Sequence, residues 1–286
     1  MKKTMITIGA MAAALAFTAR SEEAPDVEAE KEESPLYEVA LEMDLNSAYV
    51  SHNRIFSDTP NAQYDAWLQF NLPERFGWVA VDVWANQELY KRNSSRSRGN
   101  GGKQLGGFGE FDYEIVYGNS IGPVNLTASH LWYTYPRCGW GSQNFWTLGA
   151  EYDNEFVVPS VKFFWENCHG HPDDAIMIDF ALSRSFKLAE QLSLKLVSKT
   201  TLYTGPYARH FSDGEIRHAV FGGWDNGVAL SYALTDNISL GAHLNYLYKL
   251  DHRVRHCEGW DSYSSGGDHK AHAGLLYGGI SASLSF

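Results

Sequence analysis

The sequence predicts an all-β protein built as a single antiparallel, up-and-down transmembrane β-barrel of about twelve strands. Three observations carry that reading. Apolar residues recur at every second position from residue 37 onward, the links between those runs alternate short and long, and an export-type leader opens the chain. The period of two is the signature of a strand with one face apolar and one polar.

The leader comes first. Lys2 and Lys3 precede an apolar run over residues 5–17, and small residues offer cleavage after Ala16 or after Ala19. Residues 20–35 are dominated by Glu22, Glu23, Asp26, Glu28, Glu30, Glu32 and Glu33, whose mutual repulsion and scant apolar surface predict a flexible periplasmic tail. The domain organisation read from this is a signal peptide over 1–19, the acidic tail over 20–35 and a barrel over 36–286.

The runs follow in order. The first spans 37–49 and sets Tyr37, Val39, Leu41, Met43 and Leu45 opposite Glu38, Glu42 and Asp44. The second to fourth are marked by Tyr64–Leu68–Leu72, Val79–Val83 and Phe111–Tyr117; the fifth to eighth by Val124–Ala128, Trp146–Tyr152, Val161–Trp165 and Ile176–Leu182. The ninth and tenth are weaker, with Leu194 and Leu196, then Val228 to Leu234. The eleventh is the longest, from Ile238 to Leu250, and the twelfth runs from Ile280 to Phe286. No apolar set contains Asp, Glu, Lys or Arg, whereas the opposite faces contain many.

A soluble sandwich also alternates, so the links decide between the two folds. Short links at 73–77, 119–123, 154–159, 189–191 and 235–237 follow the even-numbered runs. Long polar links such as 93–103, 205–215 and 252–268 follow the odd-numbered ones. Tight periplasmic turns and long outer loops produce that rhythm in a membrane barrel. A sheet in lipid cannot leave edge groups unpaired, so it closes. Aromatic girdles are expected from Tyr37, Trp78, Tyr117, Phe156, Phe186 and Tyr232 at the turn end, and from Trp132, Tyr133, Tyr135, Phe145 and Trp165 at the loop end. After the leader no apolar stretch is long enough for a membrane helix. The net charge of −11 argues against nucleic acid, whose phosphates call for a basic stripe. The location implied is the bacterial outer membrane.

Several segments carry a family resemblance. Leu45-Asn46-Ser47-Ala48-Tyr49-Val50 leads through Arg54 and Asn61-Ala62-Gln63 to Leu68-Gln69-Phe70, then to Gly77-Trp78-Val79-Ala80-Val81-Asp82-Val83-Trp84-Ala85-Asn86. With Phe111-Asp112-Tyr113-Glu114 and Tyr133-Thr134-Tyr135-Pro136, this resembles the TorF-like porin family of outer-membrane proteins. Ser51-His52-Asn53-Arg54 stands in place of that family's Arg-Gly step, and Ala85 in place of a Ser. The resemblance implies a barrel and its location; the family has no established substrate.

Polar residues opposite the apolar sets would point inward. Pore-lining candidates are therefore Glu38, Glu42, Asp44, Asp82, Glu110, Asp112, Glu114, Glu151, Lys162, Asp179, Lys195, Lys199 and Lys249. Twelve strands enclose a narrow lumen, and both a lumen filled by these charges and a narrow open pore fit the pattern. The acidic excess predicts a slight cation preference in passive or weakly selective passage of small solutes. The alternative is a closed structural or adhesive barrel whose outer loops bind partners. A third reading is a lipid hydrolase, from the His210-Phe211-Ser212-Asp213-Gly214 stretch, but a turn-forming Asp-Gly explains that segment without catalysis.

Cys138 and Cys168 fall in neighbouring outer loops and are a candidate disulfide, with Cys257 left over. Cys168, His169, His171, His256 and Cys257 are weak metal candidates, since no spacing matches a specific zinc motif. No cofactor is implied. Partners expected are outer-membrane lipids and lipopolysaccharide, the barrel-assembly machinery through a last strand ending at Phe286, and small solutes. Arg96, Arg98 and Lys103 read first as a flexible solvated loop and second as contacts to lipopolysaccharide phosphates.

Overall fold

The computed structural model describes residues 35–73, 76–89, 107–136, 141–167, 175–212, 214, 216–257 and 273–286. The leader, the acidic tail to residue 34, Arg96, Arg98, Lys103, Cys138, Cys168, His169 and His171 lie outside the described residues.

The strands, in chain order, are β1 (Tyr37–Asn46), β2 (Tyr49–Ser51), β3 (Arg54–Ser57), β4 (Asn61–Asn71), β5 (Trp78–Glu88), β6 (Phe108–Ile121), β7 (Val124–Thr134) and β8 (Gln143–Tyr152). They continue with β9 (Val158–Glu166), β10 (Ile176–Lys187), β11 (Leu192–Tyr203), β12 (Val220–Phe221), β13 (Trp224–Ala233), β14 (Ile238–Tyr248) and β15 (Gly274–Ser285). Among the described residues two short helices, α1 (Gly205–Phe211) and α2 (His252–His256), lie in outer loops.

Setting aside the two-residue β12, β2 and β3, twelve strands pair with their neighbours around a closed cylinder, and β1 meets β15 to complete it. All pairs are antiparallel, as short hairpins dictate. Closure leaves no ladder edge in lipid. Each predicted run coincides with one barrel strand, including the weaker ninth and tenth, which are β11 and β13. The first run ends earlier than its pattern suggests: β1 stops at Asn46, and Tyr49 belongs to β2.

The outward face is apolar and exposed. Leu41, Leu68, Val81, Ile115, Leu148, Phe163, Phe180, Leu196, Leu230, Leu240 and Ile280 form one belt around the cylinder. In water such a surface would be unfavourable by roughly 25 cal/mol per Å²; in lipid it is the expected exterior. Arg184 is the outward guanidinium of β10, near its turn end, where it stacks on Phe186 and donates to Phe156 O at 2.8 Å. Its stem covers apolar surface while its head reaches the rim. The protein is thus an outer-membrane β-barrel.

The girdle expectation needs correction. Tyr37, Tyr117, Phe156, Tyr232 and Trp165 are exposed as predicted. Trp78, Tyr133, Tyr135 and Phe145 instead face the interior: Trp78 meets Trp67 edge-to-face, Tyr133 lies tilted against Phe145, and Tyr135 and Phe145 are buried. These residues lie in the same period as the inward polar positions, so the alternation itself assigns them inside.

The turn end is built economically. Gly122, at φ 59, opens the two-residue link between β6 and β7, a conformation that favours glycine. At the other end an apolar cluster of Leu131, Phe145, Phe164, Met177, Tyr203, Tyr207, Ile216 and Val254 packs α1 and α2 over the β7–β11 side of the mouth.

Candidate functional site

The link between β1 and β4 does not extend outward. It folds back as the β2–β3 hairpin, whose tip crosses the cylinder to the opposite wall. His52 and Asn53 both have positive φ, 48 and 57, as a two-residue primed turn requires. Asn adopts that region more readily than most side chains. His52 Nδ1 lies 3.0 Å from Asp179 Oδ2 on β10, and its ring packs edge-on against Phe164 on β9. Asn53 Oδ1 accepts from Thr201 N on β11 at 2.5 Å, and the Tyr203 hydroxyl donates to His52 O. On the near side Tyr49 donates to Glu110 on β6 at 3.0 Å. Ile55, Arg54 and Asn53 are buried in consequence.

The hairpin divides the lumen into two unlike halves. Against β4–β6 the interior is filled: Asp65, Trp67 and Gln69 on β4, Ala80, Asp82, Trp84 and Asn86 on β5, and Glu110, Asp112 and Glu114 on β6 are all buried. Asp82 pairs in register with Trp67 and Glu114, and Asp65 with Glu42 and Trp84. Glu114 accepts from Lys162 on β9 at 3.1 Å and also from Ser129.

Over the turn-ward part of β11–β15 the inward residues are mostly smaller and partly exposed, whereas Thr201, Asp225, Leu247 and Tyr277 nearer the loop end are buried. The turn-ward residues include Ser193 and Lys195 on β11, Gly227, Ala229 and Ser231 on β13, Ser239, Gly241 and His243 on β14, and Gly279 and Ser283 on β15. A cavity of about 110 Å³ lies here, under the hairpin, lined by Asp44, Asn46, Gln63, Lys195, Lys199, His243 and Tyr277 among others. The open side of the barrel therefore owes its room to glycine, alanine and serine, while tryptophan and carboxylates fill the other side.

The thirteen pore-lining candidates fall into three groups. Glu42, Asp82, Glu110, Asp112 and Glu114 are buried in the filled half, and Lys249 is fully buried just past the end of β14. Asp44, Lys195 and Lys199 line the cavity. Glu38, which accepts from Asn71 at 2.8 Å, and Glu151 and Lys162 stand along the inner wall, while Asp179 holds the hairpin tip. Sequence reasoning passed over Asp65, Asp225, Glu166 and His243, although the same alternation places them inward. It also passed over His52 and Asn53, for which the His-Asn pair between two short β-type segments was the available signal.

His210 and Phe211 sit in α1, with Ser212 and Gly214 in the turn after it, and Asp213 lies outside the described residues. Ser212 is buried and its Oγ accepts from Ile216 N at 2.7 Å, whereas His210 is exposed. That serine closes a turn. Of the metal candidates, Cys257 is buried within the apolar cap. Among the described residues no group of three or more His, Cys, Asp or Glu converges as metal ligands would.

No protein-family model matches the chain, and no curated protein sequence does. Solved structures do. An outer membrane channel from Pseudomonas putida F1 is 9% identical with a TM-score of 0.51, over 93% of this chain and 100% of that one. The chain shares that barrel fold. The NanC porin is 10% identical with a TM-score of 0.49, over 85% of this chain and 98% of that one. The KdgM porin is 7% identical with a TM-score of 0.44, over 87% and 99%.

Proposed function

We propose that this barrel is a porin-like channel allowing passive or weakly selective passage of small solutes, along the β11–β15 side of the lumen. One observation carries the reading: inward side chains are packed to burial on β4–β6 but are mostly small and partly exposed over residues 227–233 of β13 and 239–245 of β14. A purely structural barrel gains nothing from that asymmetry, because unfilled interior forfeits packing. The TorF-like resemblance of residues 45–86 implies the barrel and its location, which such a channel requires.

The finer reading is a slight preference for cations. Inward carboxylates outnumber inward lysines, and charges in a low-dielectric wall act over the width of a narrow lumen. Lys195 and Lys199 on the open side keep the preference small. The apolar cap over the β7–β11 side favours a second reading, a closed barrel whose outer loops bind partners. Planar-bilayer recording separates them. The channel gives single-channel steps, swelling of proteoliposomes and a cation-side reversal potential in a salt gradient. An anion-side potential overturns the preference, and absence of both steps and swelling leaves the closed barrel.

A further inference from the structure

The cavity under the hairpin has two chemically opposite walls. Asp44, Asn46 and Gln63 line it from β1 and β4; Lys195, Lys199 and His243 line it from β11 and β14. Asp44 and Asn46 are each more than nine-tenths buried, and Asp44 Oδ1 and Asn46 Oδ1 have no hydrogen-bond partner among the described residues. A buried acceptor without a donor costs about 1–3 kcal/mol, so a group bearing several N–H donors would be stabilised there.

The other wall asks for the opposite charge. Lys199 is held by Asp225 Oδ2 at 3.3 Å, and Lys195 feels the charges of both Lys199 and Glu151. Asp225 and Glu151 offset part of that positive charge, but an ammonium group is a donor only, so this wall still suits an anionic acceptor.

Glycine makes the room. A Cβ on Gly279 would run into Asn46 Oδ1 and Leu45 O, and one on Gly227 into Asn245 Oδ1. A volume of about 110 Å³ admits several waters, since one needs roughly 10–15 Å³ by the same measure. A solute of a few heavy atoms fits.

We propose that this cavity binds small zwitterions of the α-amino acid class, with the ammonium group on Asp44 and Asn46 and the carboxylate on Lys195 and Lys199. The proposal rests on the lumen being a solute path and names the solute class. A simple anion leaves the orphaned oxygens of Asp44 and Asn46 unsatisfied, and a simple cation stands beside two lysines. Only a molecule carrying both charges answers both walls.

The test titrates alanine, propionate and ethylamine against the potassium chloride current of the barrel in planar bilayers. Alanine reduces the current saturably, and each singly charged analogue needs a concentration about tenfold higher or more. Asp44→Asn removes the discrimination against propionate; Lys195→Met combined with Lys199→Met removes that against ethylamine. Propionate or ethylamine matching alanine on the unaltered protein overturns the proposal without relying on any variant. Calorimetric titration of alanine into the detergent-solubilised barrel keeps the two claims apart. Binding without current steps supports the site and overturns the channel; current steps with no alanine response in either assay overturn the site alone.

Discussion

Replacing Asn53 should release the hairpin from the far wall. Two contributions are lost in Asn53→Ala. The buried Thr201 amide, which donates to Asn53 Oδ1 at 2.5 Å, is left without that acceptor, at a cost of about 1–3 kcal/mol. The backbone at φ 57 must also be held by alanine, which tolerates it less well than asparagine, by roughly 1 kcal/mol. The sum, about 2–4 kcal/mol, corresponds to roughly 30- to 1,000-fold more frequent opening of the hairpin. Asn53→Gly separates the parts, because glycine adopts positive φ freely and loses only the hydrogen bond. Hydrogen exchange followed by mass spectrometry on the peptide covering residues 49–57 reads the opening directly. Exchange should accelerate most in Asn53→Ala and less in Asn53→Gly, with single-channel current rising in the same order. If both variants exchange as slowly as the parent, the His52–Asp179 pair and the Tyr203 hydroxyl hold the tip without Asn53, and the reasoning fails.

Two further outcomes follow from the same geometry. Leu230, outward and exposed mid-way along β13, should not accept a charge: Leu230→Arg is expected to cost about 2–4 kcal/mol in urea unfolding from lipid vesicles. Ser231→Arg, one residue along and inward, should cost far less, and equal losses would mean the belt is misassigned. At α2, Asp251 caps the helix by accepting from Arg253 N at 2.8 Å, and it pairs with Arg253 Nη2 at 2.7 Å. Hydrogen bonding to the Arg253 side chain holds the Asp251 carboxyl below its ordinary range. A depressed folded-state value means the stabilisation is fully present above the unfolded value of about 4 and is lost as pH falls through the folded one. Exchange protection of α2 should therefore drop only in acid, and Asp251→Ala should remove about 0.5–2 kcal/mol of it at neutral pH. Unchanged protection in that variant refutes the capping role.

Much of the site was within reach of the one-dimensional pattern, because a strand's period of two assigns each residue to a face without knowledge of its neighbours. Glu42, Asp82, Glu114 and Lys195 were placed inward that way, and Asp65 and Asp225 were equally legible between Tyr64 and Ala66 and between Trp224 and Asn226. Ring chemistry and that period disagree at Trp78 and Phe145, and there the period assigns the side chain to the interior.

Local alternation, turn chemistry and the short–long rhythm of the links determined by themselves the strand number, the closed barrel and the lipid-facing belt, since each depends on residues a few positions apart. Whether an inward carboxylate meets solvent or lies entombed was decided only in three dimensions. The hairpin tip is held by partners 127 and 148 residues along the chain, and such pairings leave no periodic trace. Those distant contacts, together with the volumes of Trp67 and Trp84 on one wall and Gly227 and Gly279 on the other, divide the lumen into a filled half and an open one.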